Sequence, residues 1–355
     1  MSKKKICVIA QFPPPIHGLS KAVETLYTSE IINRKYHLIK VDITSNKRFL
    51  VNYRKISNID ADLFYFTISQ SIGGNIRDLI ILRRLRKQKK KCLIHLHGGY
   101  YRQLLENDMG SIQKKWNIKA MKEVSGAIVL GKSLRYIYEG LVKNIYIVPN
   151  CVDDEFLLDD IDNKPSTEVY HILYLSNFIR TKGYDIVLNM AKIYKNTAIE
   201  KKLHFDFAGR FYGDEEEQYF NDFIKDNNLD DIVTYHGVVT GNEKRKLLKY
   251  STFFILPTNY PKEGQPISIL EAMGNGMIIL TTNHAGIPDI VEDKKNGCVL
   301  PWSTNLDLMY MDYINSITDE EIQAIEENNY NIVKDNYLEA DYINNLNNLF
   351  DKVTV

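Results

Sequence analysis

The chain has 355 residues, about twice a typical domain, which predicts two domains. With 44% hydrophobic and 25% charged residues, it is neither a disordered nor a collagen-like chain. The zero net charge hides a split. Residues 1–150 hold 27 Lys+Arg against 10 Asp+Glu, a net +17, and residues 151–355 hold 18 against 35, a net −17. Such asymmetry predicts an anionic partner for the N-terminal half, such as a membrane surface, a phosphorylated ligand or a nucleic acid. A plain solvated basic surface is the alternative.

The first apolar run, Ile6–Ala10, is too short for the core of a secretory signal. It opens a series of short apolar runs read as strands: KICVIAQF, YHLIKVDI, ADLFYFTI, KCLIHLHG, GAIVLG and NIYIVPN. Amphipathic stretches such as HGLSKAVETLYTSEIIN and NIRDLIILRRLRKQKKK lie between them and read as helices. The acidic, Pro-containing DDEFLLDDIDNKPSTEV reads as an interdomain linker, and the charge changes sign there. Strands then resume with HILYLSNF, LHFDFAGRF, IVTYHGVV, STFFILPT and GMIILTT, separated by YDIVLNMAKIYKN, EEEQYFNDFIKDNN and GNEKRKLLKYS. Alternation of this kind predicts an α/β protein with two doubly wound parallel sheets, at residues 1–160 and 168–335. Residues 336–355 are expected to form a terminal helix, with Tyr342, Leu346, Leu349 and Phe350 at helical spacing. Cys7, Cys92, Cys151 and Cys298 form no CxxC pair and sit in or beside apolar runs, where cysteine acts as a small buried hydrophobe. No stretch reaches the ~20 apolar residues of a membrane span. A cytoplasmic protein, soluble or peripherally attached, is expected.

In doubly wound sheets, ligands bind beyond the carboxyl ends of the strands, so the loops there matter most. The segment LPTNYPKEGQPISILEAM sets Glu263 in a loop and Glu271 eight positions later on a helix. The helix begins near Ile267 and Ser268, whose amides suit a phosphate. Two carboxylates beside a phosphate site fit a ligand that also carries hydroxyl groups. GxGxxG and Walker sequences are absent, which removes support for a dehydrogenase or a nucleoside triphosphatase.

This segment resembles the Glu-x7-Glu motif of retaining glycosyltransferases of family 4, which have the GT-B fold of two Rossmann-like domains facing a cleft. GIPDIVEDKKNGCVL and LYLSNFIRTKGYDIVLNMA are similar to the family's flanking stretches, and IVPNCVDDEF to its domain-closing segment, with Cys151 in place of Gly. The resemblance covers nearly the whole chain and is more specific in the C-terminal half.

The resemblance implies an N-terminal acceptor domain, a C-terminal donor domain and a last helix that packs back across their junction. Glu263 would contact the donor sugar, Glu271 the ribose, and Lys182 the diphosphate. Gly264, Gln265, Pro266, Ile267 and Ser268 would line the donor. Gly18, with Ser20 in the PPPIHGLS loop, would border the donor phosphates and the acceptor, and His17 would join them or simply cap the loop. Asn177 stands where the family has an Arg, so Arg180 would supply the second positive charge. Arg210 would approach the diphosphate or the base, with a surface ion pair as the alternative, and Tyr235–Gly237 would lie near the base. His97 matches the family's active-site histidine. His95, on the same face of the strand, is expected to be a hydrogen-bonded buried residue. Neither the two histidines nor the pairs Asp153–Asp154 and Asp60–Asp62 have further ligands nearby, so no metal is expected, and no cofactor beyond the nucleotide sugar itself.

The expected activity is transfer of a hexose or N-acetylhexosamine from a UDP-sugar, or alternatively a GDP-sugar, to a glycan or lipid-linked acceptor in bacterial-type surface polysaccharide or glycoconjugate synthesis. The rivals are a GT-B sugar-nucleotide 2-epimerase and a non-catalytic binding subunit. Two basic stretches, Arg83–Lys91 and Lys114–Lys122, suit an anionic membrane at the inner face. In the second, Ile112, Trp116, Ile118 and Met121 could instead pack into the core. Nucleic acid is not an expected partner, because no binding module is present.

Overall fold

The structure is a computed structural model that describes residues 3–14, 18–165 and 168–354. Pro15 and His17 of the first loop lie outside these residues. The chain divides into two compact units. The first comprises residues 1–151, 262–265 and 339–355, and the second residues 152–261 and 266–338.

The first unit runs β1 (Lys4–Ala10), α1 (Gly18–Thr28), α2 (Glu30–Lys35), β2 (Tyr36–Asp42), α3 (Phe49–Asn58), β3 (Leu63–Thr67), α4 (Ile72–Lys87), β4 (Cys92–His95), a single turn α5 (Tyr101–Gln103), α6 (Ser111–Met121), β5 (Gly126–Val129) and β6 (Ile145–Ile147). Its six strands are parallel, in the order β2-β1-β3-β4-β5-β6. The single helix expected over residues 17–33 is two, because Ser29 leaves helical geometry and caps α2 through the Ile32 amide. α3 was not evident in the sequence, where its short polar-rich pattern has only Asn52 and Ile56 facing inward.

The second unit runs β7 (Tyr170–Leu175), α7 (Tyr184–Asn196), β8 (Leu203–Ala208), α8 (Asp214–Asp226), β9 (Val233–Tyr235), α9 (Gly241–Tyr250), β10 (Phe253–Leu256), α10 (Ile267–Met273), β11 (Ile278–Thr282), β12 (Gly297–Leu300), α11 (Leu306–Ser316) and α12 (Asp319–Asn336). Counted within the unit, the order β9-β8-β7-β10-β11-β12 is 3-2-1-4-5-6, the doubly wound arrangement with its switch point between β7 and β10. β12 escaped the sequence reading because GCVL is only four residues long and opens on a glycine. The strands are buried on both faces, as crossover helices require, and Ile172, Phe205, Phe254 and Ile279 are fully enclosed.

The expected linker is not a free connection. The chain leaves the first unit at Cys151 rather than near residue 160. Val152 N–H donates to Tyr337 O, Phe156 and Leu157 enter the core of the second unit, and Asn275 Nδ2 donates to Phe156 O. Its apolar residues, Phe156 to Leu158, outweigh its acidic composition. The last helix, α13 (Glu339–Thr354), belongs to the first unit. Tyr342, Leu346, Leu349 and Phe350 are buried there with Tyr36 and Tyr65, and Tyr36 Oη donates to Asp351 at 2.6 Å. All four cysteines are buried, and burial pushes the Cys7 thiol up to about 12. No described helix is long and apolar enough to cross a membrane.

Candidate functional site

In the second unit, the loops after β7 and β10 leave the sheet on either side of the switch point and bond to each other. Asn259 N–H donates to Thr181 O at 2.8 Å. Gly183 ends a short 3-10 turn (Arg180–Lys182) with φ +78°, and a Cβ there would lie 2.3 Å from Pro257 O. Only glycine meets both demands, so the Lys182 turn closes directly onto the β10 loop. Lys182 is half-buried, with Nζ 5.2 Å from the Tyr260 ring centre. A cation is thereby fixed just before α7, at the end of the sheet where anionic ligands bind.

Arg180 points elsewhere. Its Nε donates to Glu216 at 2.9 Å, its guanidinium stacks 3.5 Å from the Tyr219 ring centre, and Glu216 also accepts from Tyr184 Oη. The turn thus presents Lys182, while Arg180 is engaged by α8. Asn177 and Arg210 are both exposed. Gly209 N–H donates to Gly237 O, which ties the Arg210 loop to the end of β9. His236 Nε2 lies 2.7 Å from Asp206 Oδ1, and His171 Nδ1 lies 2.7 Å from Oδ2. Burial alone would raise the Asp206 pKa, but the two histidine hydrogen bonds hold it down at about 2.

α10 starts at Ile267 with Pro266 at its cap position and no side chain capping it. Glu271 lies one turn further on and is 4% exposed. Lys244 of α9 donates to its Oε1 at 2.6 Å, and Lys244 Nζ sits 4.1 Å from the Phe156 ring centre. The sequence reading missed Lys244, since a lysine in a helix as polar as GNEKRKLLKY reads as solvated.

Glu263 belongs to the first unit, together with Lys262, Gly264 and Gln265. It is 8% exposed. Gly264 packs on the loop that follows β4, where an added Cβ would lie 2.9 Å from Gly98 Cα. Gln265 Oε1 accepts from Asn150 N–H at 2.7 Å, its Nε2 donates to Leu130 O, and Asn150 Nδ2 donates to Gln265 O at 2.8 Å. Thus Gln265, expected to line the donor, uses its amide to fasten the Glu263 loop to the ends of β5 and β6. Asn150 was not named from the sequence, although its segment was.

His97 is half-buried just past β4, in the same loop as Gly98. His95 is fully buried, with Nδ1 2.6 Å from Tyr65 Oη, as the strand alternation implied. Burial and the neighbouring His97 keep its pKa well below the ordinary histidine value, so it is neutral. The two imidazoles are 3.9 Å apart. Gln70, also missed from the sequence, accepts from Tyr100 N–H at 2.7 Å, and its amide fills the space a Gly98 Cβ would need. Gly18 is exposed at the start of α1. The residues read from the sequence therefore fall into two groups. Glu263 and His97 are joined through Gly264 and Gly98 in the first unit. Lys182 and Glu271 lie on the two sides of the switch point in the second.

Residues 159–331 match the family described as glycosyl transferases group 1. The chain is 28% identical over 134 residues to the amylovoran biosynthesis glycosyltransferase AmsK of Erwinia amylovora, covering 37% of this chain and 32% of that protein. It spans about a third of the length of the first curated relatives it matches. In structure it is similar to a glycosyltransferase from Rickettsia africae, with TM-score 0.75, 14% identity and 99% of both chains covered. It is also similar to HepE of Anabaena solved with UDP, with TM-score 0.73, 12% identity, and 98% of this chain and 100% of that one covered. The whole-chain likeness is one of fold, two Rossmann-like sheets as in GT-B glycosyltransferases, and residues 159–331 form a domain of the group 1 type.

Proposed function

We propose that the protein is a retaining glycosyltransferase. It moves a hexose or N-acetylhexosamine from a nucleotide-diphosphate sugar, UDP-linked in preference to GDP-linked, to a hydroxyl of a glycan or lipid-linked acceptor in bacterial surface polysaccharide or glycoconjugate synthesis. One observation carries this reading. At the switch point of the second sheet, the Lys182 turn is bonded to the loop that leads to Glu271. A fixed cation followed by a carboxylate suits a nucleoside diphosphate, which presents phosphates and a ribose diol. The group 1 match, the name of AmsK and the UDP complex of HepE support it.

In this reading Lys182 and the first amides of α10 stabilise charge developing on the leaving diphosphate, without a metal. Glu271, steadied by Lys244, accepts hydrogen bonds from the ribose. Glu263 accepts from hydroxyls of the sugar, and His97 lies near the reacting carbon. The bond from the anomeric carbon to the phosphate oxygen breaks as the bond to the acceptor oxygen forms on the same face. The acceptor proton passes to the departing phosphate. The enzyme is cytoplasmic and attaches peripherally to the inner membrane face through its basic stretches.

The test is transfer from a panel of radiolabelled nucleotide sugars. Glu263→Ala and Lys182→Ala should each abolish transfer while the circular dichroism spectrum is retained, and full activity in either would sink the assignment. Incubation of the donor alone separates the epimerase, which would return an epimerised nucleotide sugar.

A further inference from the structure

In the first unit, the loops that follow β2, β3 and β4 are tied to one buried carboxylate. Asp78 of α4 is 1% exposed. Its Oδ2 accepts from Ser69 N–H at 2.7 Å, just past β3. Its Oδ1 accepts from Arg77 Nε at 2.9 Å, and that guanidinium also donates to Ile43 O and Asn46 Oδ1, both at 3.2 Å, in the loop after β2. Both carboxylate oxygens are thus used as acceptors. Protonation would turn one of them into a hydroxyl that faces a donor. The Ser69 turn is also closely packed, since a Cβ on Gly74 would lie 2.1 Å from Ser69 Oγ.

Gln70 carries this anchorage to the next loop. It is half-buried, and its Oε1 accepts from Tyr100 N–H at 2.7 Å, past β4. That bond fixes which way the amide faces, because the backbone donor needs the oxygen. The amide then lies against Gly98, where an added Cβ would be 2.0 Å from Nε2. Gly98 does not have a positive φ, so the Gln70 amide, not the backbone, is what keeps a side chain out of this position. Gly264 rests on the same Gly98. The contacts therefore run from Asp78 through Ser69, Gln70 and Gly98 to Gly264, all within the first unit. His97 adjoins Gly98 in this series, and Glu263 adjoins Gly264.

We propose that Gln70 and Asp78 are positioning residues of the candidate site: Gln70 is the spacer that sets where the His97 loop stands, and so where the Glu263 loop rests on it, and Asp78 anchors the spacer. The inference rests on the function proposed above, since it gives both residues a part in that transfer without contact with substrate. It also gives turnover and stability opposite responses to acid. Besides Arg77, the titratable groups that face Asp78 are Tyr101 of α5 and Tyr138. Burial raises both phenols above their ordinary value, so neither changes charge when Asp78 does. Burial also raises Asp78 to about 6. As pH falls through about 6, the buried acid gains its proton, which favours the native state but releases the Ser69 turn. Turnover should fall there while stability rises, a combination that a purely structural role would not produce.

The experiment uses the full chain with ring-labelled histidine in NMR, the His97 signal being identified by its loss in His97→Asn. The His97 ring is 3.9 Å from that of His95 in the strand, so movement of the loop changes its resonance. Gln70→Ala and Asp78→Asn, the second a mimic of the protonated acid, should both move this signal. The signals of His171, His204 and His236 in the second unit should stay in place, which reports an intact fold. Gly98→Ala should move the His97 signal as well, but Gln70→Ala combined with Gly98→Ala should return it toward the parent position, because the new methyl group takes the room the amide gave up. Turnover is read as UDP released from UDP-glucose, UDP-galactose and UDP-N-acetylglucosamine. Gln70→Ala and Asp78→Asn should each lower kcat by about tenfold to a hundredfold with little change in KM, and Asp78→Asn should lose the acid limb of the pH profile. Gln70→Ala leaves the buried acid untouched and so decides the matter whatever Asp78→Asn does to folding. If the parent releases UDP from none of the three sugars, the function proposed above fails, and the histidine signals still decide the positioning. Three results would overturn the positioning roles: an unmoved His97 signal in Gln70→Ala, additive shifts in the double variant, or an acid limb that Asp78→Asn keeps in full.

Discussion

Lys244 Nζ donates to Glu271 Oε1 at 2.6 Å, and the pair is largely enclosed, with the lysine also packed on Phe156. Removing the lysine charge leaves a buried carboxylate without this donor. Lys244→Met keeps the packing on Phe156 but should cost about 2 kcal/mol in urea unfolding. On the proposed function it should also raise the KM for the nucleotide sugar, because the ribose-binding carboxylate loses its orientation. If Glu271→Gln in the Lys244→Met background recovers stability but not the KM, the pair serves both roles. An unchanged KM in Lys244→Met would leave the pair a purely structural one.

The contact of Gly264 with Gly98 links the Glu263 loop to the His97 loop without any side chain between them. Gly264→Ala forces the two backbones apart, since the new Cβ would lie 2.9 Å from Gly98 Cα. On the proposed function, a displacement of Glu263 by about an ångström should lower kcat by about a hundredfold. Gly73→Ala, where a Cβ meets nothing within 4 Å, is the matched control and should keep full activity. Equal losses in the two variants would argue against a positional role for the contact.

Gly183 offers a stability test. Its φ of +78° and the proximity of Pro257 O both oppose a side chain. Gly183→Ala should destabilise the second unit by about 2 kcal/mol. It should also move Lys182, so on the proposed function the melting-temperature shift produced by UDP should shrink. A variant as stable as the parent would mean that the turn relaxes without strain.

The pH dependence follows from Asp78. Burial raises its pKa to about 6, and the adjacent Arg77 guanidinium and the Ser69 amide only partly offset this. The folded value lies above the unfolded one of 3.8, so the native state holds the proton more tightly. Its contribution is therefore fully present below about pH 3.8 and is lost as pH rises through about 6, an effect of about 3 kcal/mol. Asp206 has the opposite sign: its stabilisation is present above 3.8 and disappears as pH falls through about 2. Urea unfolding across pH 4 to 7 should show the loss in the parent and a flatter profile in Asp78→Asn. The same slope in both would assign the titration to another group.

Among the described residues, eleven of the twelve strands, both sheets and most helices were legible in the sequence. Strands covered on both faces must be continuous apolar runs, and runs such as FYFT and MIILTT can hardly be anything else in a chain of this composition. GCVL, α3, α11 and α12 were not read from the sequence; in the first two, a glycine-led tetrapeptide and a polar helix with two inward residues carry too little periodicity. The candidate site residues divide in the same way. Lys182, Glu263, Glu271 and His97 stand in distinctive local patterns after strands. Lys244, Gln70 and Asn150 act through partners 27, 30 and 115 positions away, which no local pattern reveals.

The opening charge split shows what each level decides. The sequence by itself determined that cations crowd the first half and that the zero sum has no bearing on either half alone. Only the tertiary structure decided which of them are already matched: Arg86 by Glu123, Lys90 by Asp60, Lys35 by Asp351 of the last helix. It also decided that Ile112 and Trp116 face outward while Met121, on the same helix, faces the core. The physical reason is that charge and hydropathy are properties of residues, whereas pairing and burial depend on which elements the fold brings against them.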